Sequence, residues 1–236
     1  MPERKFDQFD EYANNYRELH TENIRISGAD SYYFAEMKVK LMQEFEKNSS
    51  LQILDVGCGD GATETFFEKH FPLWQVKGID ISSESIRQAR KRNLSSAEFT
   101  EYDGTTMPFD AGSFDIVFMA GVLHHVDFTL HAILLKEINR VLRTGGRFYL
   151  FEHNPINPLT RYLVKNCIFD KNARLLQKNY VHSVLQKQGF KIQHAAYIIF
   201  FPRNKIFRGL FFLEKYLTWL PLGGQYYVIS LKVNQD

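Results

Sequence analysis

The first candidate for chemistry is a run of alternating glycines directly after a short apolar segment. Gly57, Gly59 and Gly61 follow residues 51–56, which read as a buried strand, and a helical pattern begins at Ala62. Glycine lets a backbone turn tightly and lets a ligand approach without meeting a Cβ atom. A glycine loop between a strand and a helix is typical of nucleotide cofactor sites. A plain turn would not need three glycines, so we predict that this loop holds a cofactor.

The second candidate is Asp80, which ends the next predicted strand, residues 75–80. An acidic residue about 20 positions beyond the glycine loop is where such sheets accept hydrogen bonds from ribose hydroxyls. An ionised carboxylate only accepts hydrogen bonds, so it can take both hydroxyls of a ribose at once. Capping of the following helix is the alternative role, but Ser82 or Ser83 could do that equally well. We therefore favour the ribose role.

The glycine spacing helps to separate the cofactors that this loop could bind. The dinucleotide pattern G-x-G-x-x-G would need glycine at position 62, where the chain has Ala62. A pyrophosphate prefers the positive N-terminus of a helix, yet Asp60 places a negative charge there. A cofactor with an ammonium and a sulfonium group and no phosphate fits better. An NAD-dependent oxidoreductase stays open as an alternative, as does a non-catalytic, cofactor-binding partner subunit.

The elements that must position these residues alternate along residues 51–152, where short apolar strands are separated by helical patterns. This alternation predicts parallel strands with right-handed crossovers, and ligands bind such sheets at the carboxyl ends of the strands. A helix at 130–142 is expected to end at Gly145-Gly146, and the fifth strand is expected at 146–152.

The pattern changes in the last third, where two β-rich segments, 191–201 and 225–233, look like a terminal antiparallel pair. The predicted fold is therefore α/β: a doubly wound, mostly parallel, seven-stranded Rossmann-like sheet with a C-terminal antiparallel hairpin. We expect one domain over residues 1–236. Within it, 1–48 form an N-terminal helical lid, 49–152 the cofactor-binding core and 153–236 the substrate side.

Composition sets further limits. The 236-residue chain has a formal net charge of +2, which creates no strong field, so no nucleic-acid partner is expected. Cys58 and Cys167 are too few for a disulfide framework or a tetrahedral zinc cage. No metal site is expected, since the adjacent His124 and His125 have no obvious set of carboxylate or cysteine partners. A charged N-terminus and the lack of an apolar run of about 20 residues predict a cytoplasmic protein without a transmembrane segment.

Several blocks resemble, in order, those of class I S-adenosylmethionine-dependent methyltransferases of the small-molecule type, similar to the quinone-biosynthesis enzymes. The first block is Leu54-Asp-Val-Gly-Cys-Gly-Asp-Gly61. The later blocks lie at residues 78–82, 102–110, 113–118, 123–126 and 137–146. The resemblance covers roughly residues 51–152. It implies methyl transfer from S-adenosyl-L-methionine, with S-adenosyl-L-homocysteine as the product.

The resemblance also implies roles for the residues at the ends of the strands. Those that would hold the methionine end of the cofactor are Asp55, Gly57, Cys58 and Gly59. Those that would hold the nucleoside are Asp80 at the ribose, Ile81 against the adenine, Asp103 at the adenine amino group and Gly104 beside it. Ala120 and Gly121 would line the sulfonium. Residues 9–16 resemble the lid helix of the family, in which Tyr12 or Tyr16 either covers the cofactor or packs within the helix.

Methyl transfer from a sulfonium is a displacement, so alignment of the reacting groups supplies much of the rate. An oxygen nucleophile also needs a general base, and histidine titrates in the right range. His124, His125 and His153 follow strand ends at the expected ligand edge, with structural packing as the alternative for each. His153 is favoured because its loop, rich in Asn and Pro, should border the substrate. The acceptor is expected to be small and partly apolar, or linked to a lipid or glycan, with O-, N- or C-methylation left open.

The last third is expected to choose the substrate. Residues 152–161 faintly resemble bacterial methyltransferases of surface-glycan or natural-product pathways. Residues 206–219 form an amphipathic stretch with basic residues nearby, among them Arg203 and Lys215. Such a stretch could lie on a membrane or on a lipid-linked substrate. We favour the alternative that it covers the substrate pocket or forms a dimer surface, so the protein is expected to be a monomer or a homodimer, with peripheral membrane contact as a further option.

Overall fold

The computed structural model describes residues 16–47, 49–170 and 172–233. Its strands are β1 Gln52–Val56, β2 Gln75–Asp80, β3 Ala97–Glu101, β4 Phe114–Ala120, β5 Leu142–His153, β6 Phe190–Ile198 and β7 Gln225–Lys232. Within the described ranges they form a single seven-stranded sheet in the order β3-β2-β1-β4-β5-β7-β6. Neighbours among β1 to β5 are parallel, whereas β7 is antiparallel to both β5 and β6. The predicted fold class and terminal antiparallel pair are confirmed.

Helices cover both faces of this sheet. The α-helices of the described residues are α1 Tyr16–Asn23, α2 Ser31–Met42, α3 Ala62–His70, α4 Ser83–Arg90, α5 His131–Val141, α6 Pro158–Asn166, α7 Lys178–Lys187 and α8 Glu214–Leu217. Side chains alternate along a strand, and β5 shows this clearly. Phe148 and Leu150 pack in the core formed with α5 and α7, while Tyr149 and Phe151 pack in the opposite core with α2 and α3.

The order of the strands fixes where a ligand can bind. Strand β1 lies between β2 and β4, so the chain moves outward in opposite directions from β1. Parallel α/β sheets bind ligands at such a switch in strand order, beyond the carboxyl ends of the strands. Here those ends are Val56, Asp80, Ala120 and His153.

Two predicted boundaries are wrong. The fifth helix ends at Val141 and β5 begins at once, because Leu142 has an extended ψ of 142° and pairs with Phe114. The pairing then shifts, and Gly145, with φ of 78°, turns the chain inside the strand rather than closing the helix.

The predicted amphipathic stretch at 206–219 is also shorter in helical structure than expected. A 3₁₀ turn, Arg208–Leu213, leads into the single turn of α8. No helix of the described ranges is both long enough and apolar enough to cross a membrane.

Candidate active site

One large cavity opens at the carboxyl edge of the sheet, with a volume of about 1360 Å³. Pockets for a single small ligand have volumes of about 300–1,000 Å³, so this one has room for a cofactor and a second molecule. Helices α1 and α2 contribute lining residues such as Asn23 and Phe34, and the segment after β6 contributes Phe200 and Pro202. The N-terminal residues therefore border the cavity as a lid would, although Tyr12 and the side chain of Tyr16 lie outside the described part of the chain.

The glycine loop follows β1 and forms one wall of the cavity. Gly57 has φ of 78°, and a Cβ atom there would lie 2.4 Å from the Val122 side chain, so only glycine fits. At Gly59 a Cβ atom would meet nothing within 4 Å, which means that the loop faces open space at this point. Gly57, Cys58 and Gly59 all line the cavity, as predicted. The loop is therefore shaped to let a ligand lie against its backbone.

Asp80 braces this loop from the end of β2. One carboxylate oxygen accepts from the Gly59 N–H at 2.9 Å, and the other accepts from the Ser82 N–H at 2.9 Å. The cap of α4 is the Ser82 hydroxyl, which accepts from the Ser85 N–H at 3.0 Å. The half-buried Asp80 also lines the cavity, where its carboxylate can act only as an acceptor toward a ligand.

Three further predicted residues line the cavity beyond Asp80: Ile81, Asp103 and Gly104. A Cβ atom at Gly104 would lie 3.3 Å from the Ile81 side chain, so the two residues form one narrow wall. The backbone N–H groups of Thr106 and Thr105 donate to Asp103 and lower the pKa of that carboxyl. Asp103 therefore remains an ionised acceptor at neutral pH.

Asp55 occupies a different place from the one expected. It is 2% exposed and does not line the cavity. It lies instead beneath the loop beside the fully buried Glu64 of α3. Burial raises the pKa of Asp55 to about 7, and the charge of Asp80 adds to this; burial also raises the pKa of Glu64 well above its usual range. Two such carboxyl groups are most stable sharing a proton. A direct contact of Asp55 with a cofactor stays a prediction.

Asp60 bears on the electrostatic argument about the cofactor. Its carboxylate forms a 2.6 Å salt bridge with Arg92, whose Nε also donates to the Asp60 carbonyl. The negative charge expected at the start of α3 is thus paired with Arg92. Asp60 therefore repels a pyrophosphate less than the sequence alone suggested.

A buried group of charged side chains forms the opposite end of the cavity. His124 is 2% exposed, and its Nδ1 lies 2.5 Å from Glu152 Oε2. The other Glu152 oxygen accepts from the Leu123 N–H at 2.9 Å. Asp170, from a 3₁₀ turn after α6, lies 3.3 Å from His125 Nε2 and 3.7 Å from His124 Nε2. We call His124, His125, His153, Glu152 and Asp170 the histidine cluster.

The charges of the histidine cluster follow from its geometry. Burial lowers the pKa of His124, but the Glu152 and Asp170 carboxylates outweigh burial and raise it to about 10. Burial lowers the pKa of His125, against the opposing effect of Asp170. Burial and the charge on His124 lower the pKa of His153 to about 4. At neutral pH His124 is therefore an imidazolium between two carboxylates, whereas His125 and His153 are neutral.

Two members of this cluster, Glu152 and Asp170, were not predicted from the sequence. No carboxylate was expected near His124 and His125, but the fold brings these two carboxylates to them. Ligand atoms of His124, His125 and Asp170 lie within 4.8 Å of one another, which is a spacing that a metal ion could bridge. Ligation would first have to displace the proton of His124, so we interpret the group as an acid–base cluster. Ala120 and Gly121 line the cavity between the glycine loop and this cluster.

Comparison with known proteins agrees with this geometry. Residues 54–150 match the family model described as a methyltransferase domain. Demethylmenaquinone methyltransferase of Chlorobaculum tepidum is 34% identical over 167 residues, 70% of this chain and 65% of that protein. Fatty-acid O-methyltransferase of Mycolicibacterium smegmatis is 31% identical over 105 residues, 44% of this chain and 38% of that protein. The chain thus spans less than two thirds of the length of these relatives.

A solved structure shares nearly the whole fold. The S-adenosylmethionine-dependent methyltransferase from Thermotoga maritima aligns with a TM-score of 0.69 over 96% of this chain and 99% of its own, at 21% identity. Taken together, the matches show that residues 54–150 form a methyltransferase domain and that the chain has the fold of an S-adenosylmethionine-dependent methyltransferase.

Proposed function

We propose that this protein transfers the methyl group of S-adenosylmethionine to a hydroxyl group of a small, partly apolar acceptor. The observation that supports this most directly is that one cavity joins the glycine loop and Asp80 to the histidine cluster. The two curated relatives above are named for acceptors with apolar character, a demethylmenaquinone and a fatty acid. The NAD-dependent alternative has no corresponding support among these matches.

The residues at the cofactor end fit the group that the family implies. The open space over Gly59 admits the methionine part, and Asp80 offers acceptors for the ribose hydroxyls. Ile81 and Gly104 would enclose the adenine, whose amino group would donate to Asp103. When bound, the cofactor supplies an electrophilic methyl group on a sulfonium. Its reactive end would lie near Gly121, where the cavity continues toward the histidine cluster.

His125 is the general base that we propose. Only a neutral imidazole can take a proton, which excludes His124 at neutral pH. His153, which the sequence analysis favoured, has a pKa of about 4 and is a weak base. His125 is neutral and lines the cavity, and Asp170 lies 3.3 Å from its Nε2. We assign the Nε2 proton to the bond with Asp170, so that Nδ1 carries the lone pair that accepts the proton of the acceptor hydroxyl.

His124 acts as a positioning residue in this scheme. Its imidazolium is held by Glu152 at the end of β5 and draws the Asp170 carboxylate to a fixed place beside His125. The Glu152 carboxylate also accepts from the backbone of Leu123, so the whole turn from Leu123 to His125 is tied to the sheet. A base positioned in this way needs no rearrangement to reach the acceptor.

The test uses S-adenosylmethionine labelled on its methyl group, incubated with the protein and a cell extract. We expect label in the solvent-soluble or aqueous small-molecule fraction, and label only in macromolecules would contradict the proposal. His125→Asn should lower the rate at least about 100-fold, the effect expected for loss of a general base. S-adenosylhomocysteine affinity should not change. His182→Asn, a histidine of α7 that does not line the cavity, is the control.

Two outcomes of this test would point to the alternatives. Tight S-adenosylhomocysteine binding without transfer to any fraction would favour a non-catalytic partner subunit. Binding of NADH in place of S-adenosylhomocysteine would favour an oxidoreductase.

A further inference from the structure

The segment between β6 and β7, residues 199–224, presents large apolar side chains to solvent. We call it the β6–β7 connection. The exposed fraction is 85% for Ile206, 64% for Phe212 and Tyr216, and 73% for Trp219. Spacings of four and three residues place Phe212, Tyr216 and Trp219 on one face of a helical winding, and the Trp219 indole N–H donates to the Tyr216 carbonyl at 3.1 Å. Contiguous exposed groups of this kind mark an interaction surface.

The backbone that carries these side chains is hydrogen-bonded to β6 and to the residues that follow it. The Tyr197 N–H donates to the Thr218 carbonyl at 2.8 Å, and the Gly224 N–H donates to the Ile199 carbonyl at 2.8 Å. The Glu214 carboxylate accepts from the Phe200 N–H at 2.8 Å. The exposed apolar groups therefore belong to a fixed surface.

The charges of the connection are almost all positive. Its acidic residue, Glu214, is neutralised by a 2.5 Å salt bridge to Arg203. Lys205, Arg208 and Lys215 are exposed, and none of them forms a salt bridge with a residue in the described ranges. Three cations beside exposed aromatic and aliphatic groups match an interface of apolar chains beneath anionic headgroups.

The base of the same connection borders the cavity. Ile199, Phe200, Phe201 and Pro202 line it, and Ile206, five residues after Phe201, is 85% exposed. The cavity lining and the exposed face thus belong to one segment, with Arg203, Asn204 and Lys205 between them.

We infer that the β6–β7 connection docks on the surface of a bilayer containing anionic phospholipid, and that the methyl acceptor is an amphiphile that enters the cavity from that bilayer. The second part rests on the proposed function, and the first does not. Trp219 and Tyr216 would lie at the level of the headgroups, where aromatic side chains with a polar edge are favoured. Lys205, Arg208 and Lys215 would contact the anionic headgroups.

The docking is tested by flotation of the full chain with vesicles of phosphatidylcholine, with and without 30 mol% (about one lipid in three) phosphatidylglycerol. We expect the protein to float with the anionic vesicles and to bind them less at high salt. Replacing Lys205, Arg208 and Lys215 with Gln should weaken binding by roughly fivefold per residue. Phe212→Ser combined with Tyr216→Ser and Trp219→Ser should abolish flotation.

The controls carry the same changes on other surfaces. Leu73→Ser with Ile133→Ser removes exposed apolar groups elsewhere, and Lys136→Gln with Lys187→Gln removes exposed cations of α5 and α7. These variants should float like the wild type. Docking is refuted if the wild type floats with neither vesicle, or if the variants of the β6–β7 connection float like the control variants. A dimer that the Phe212, Tyr216 and Trp219 changes dissociate in sedimentation, without flotation, would also refute it and assign the surface to a second copy.

S-adenosylhomocysteine binding by each variant separates this inference from the proposed function. Because the changed residues do not line the cavity, affinity should stay within about twofold of the wild type, a change of about 0.4 kcal/mol. Flotation without methylation of any solvent-soluble molecule would overturn the second part alone. The second part would also be overturned if changes in the β6–β7 connection left the methylation of an extract carried in vesicles unaffected.

Discussion

Replacement of Asp80 by Ala tests the cofactor end of the site without knowledge of the acceptor. Its two carboxylate oxygens are proposed to accept from two ribose hydroxyls. A hydrogen bond to a charged group contributes about 1.5–3 kcal/mol, and because Asp80 is half-buried the lower value applies to each. The loss of two such bonds amounts to about 3 kcal/mol, or roughly 150-fold in the dissociation constant of S-adenosylhomocysteine. Isothermal titration calorimetry measures this directly.

The same change also removes the acceptors for the N–H groups of Gly59 and Ser82. Thermal unfolding must therefore show that the variant is folded at the temperature of the titration. Asp30→Ala is the matched control, since Asp30 accepts from the Tyr33 N–H at 2.7 Å at the start of α2 and does not line the cavity. An Asp80→Ala affinity within about threefold of wild type, less than 1 kcal/mol, would refute the ribose assignment.

Three further predictions concern stability and pH. Gly57→Ala should lower the free energy of unfolding by about 2–4 kcal/mol in urea titrations, because the methyl group combines a strained φ with a clash. Activity is expected to fall below the pKa of His125, and in Asp170→Asn this fall should shift to lower pH, since Asp170 raises that pKa. An unchanged pH profile of kcat/KM would contradict the proposed pairing of His125 with Asp170. Glu152→Gln should cost about 3 kcal/mol at pH 7, the lower end of the range for breaking a buried ion pair, because Asp170 still lies beside the His124 imidazolium. The pKa of His124 is raised to about 10, so its pairing stabilises fully below the unfolded pKa of about 6.5 and is lost as pH rises through 10, where the two proteins should converge.

The cofactor half could be predicted from sequence because its signals are local. The apolar run before Gly57 and the alternating glycines specify a strand, a short turn and a helix between Gln52 and His70. Asp80 follows by the same logic, since the end of the next parallel strand must lie beside the first. Gly145 was misread because a glycine after a helix usually ends it, whereas here the pairing of Leu142 with Phe114 had already done so.

The acid–base half could not be predicted because its members meet only through the fold. Asp170 reaches His125 from a 3₁₀ turn some 45 residues later in the chain, with no motif around it. The preference for His153 over His125 was based on loop position, and the sequence did not show that a charged His124 would lie at a ring distance of 5.3 Å from His153. The salt bridge between Glu214 and Arg203 in the β6–β7 connection likewise forms only through the fold.

The two ends of the cavity are joined at the ends of β4 and β5. The Gly121 N–H donates to the Phe151 carbonyl at 2.9 Å, and the next residue, Glu152, holds Leu123 and His124. The residues proposed to line the sulfonium and those proposed for acid–base chemistry are thus held by the same pair of strand ends. The residues after β6 that line the cavity, 199–202, take no part in these hydrogen bonds. The domain match, which covers residues 54–150, includes the glycine loop, Asp80 and His124 and ends before Glu152, Asp170 and the segment after β6.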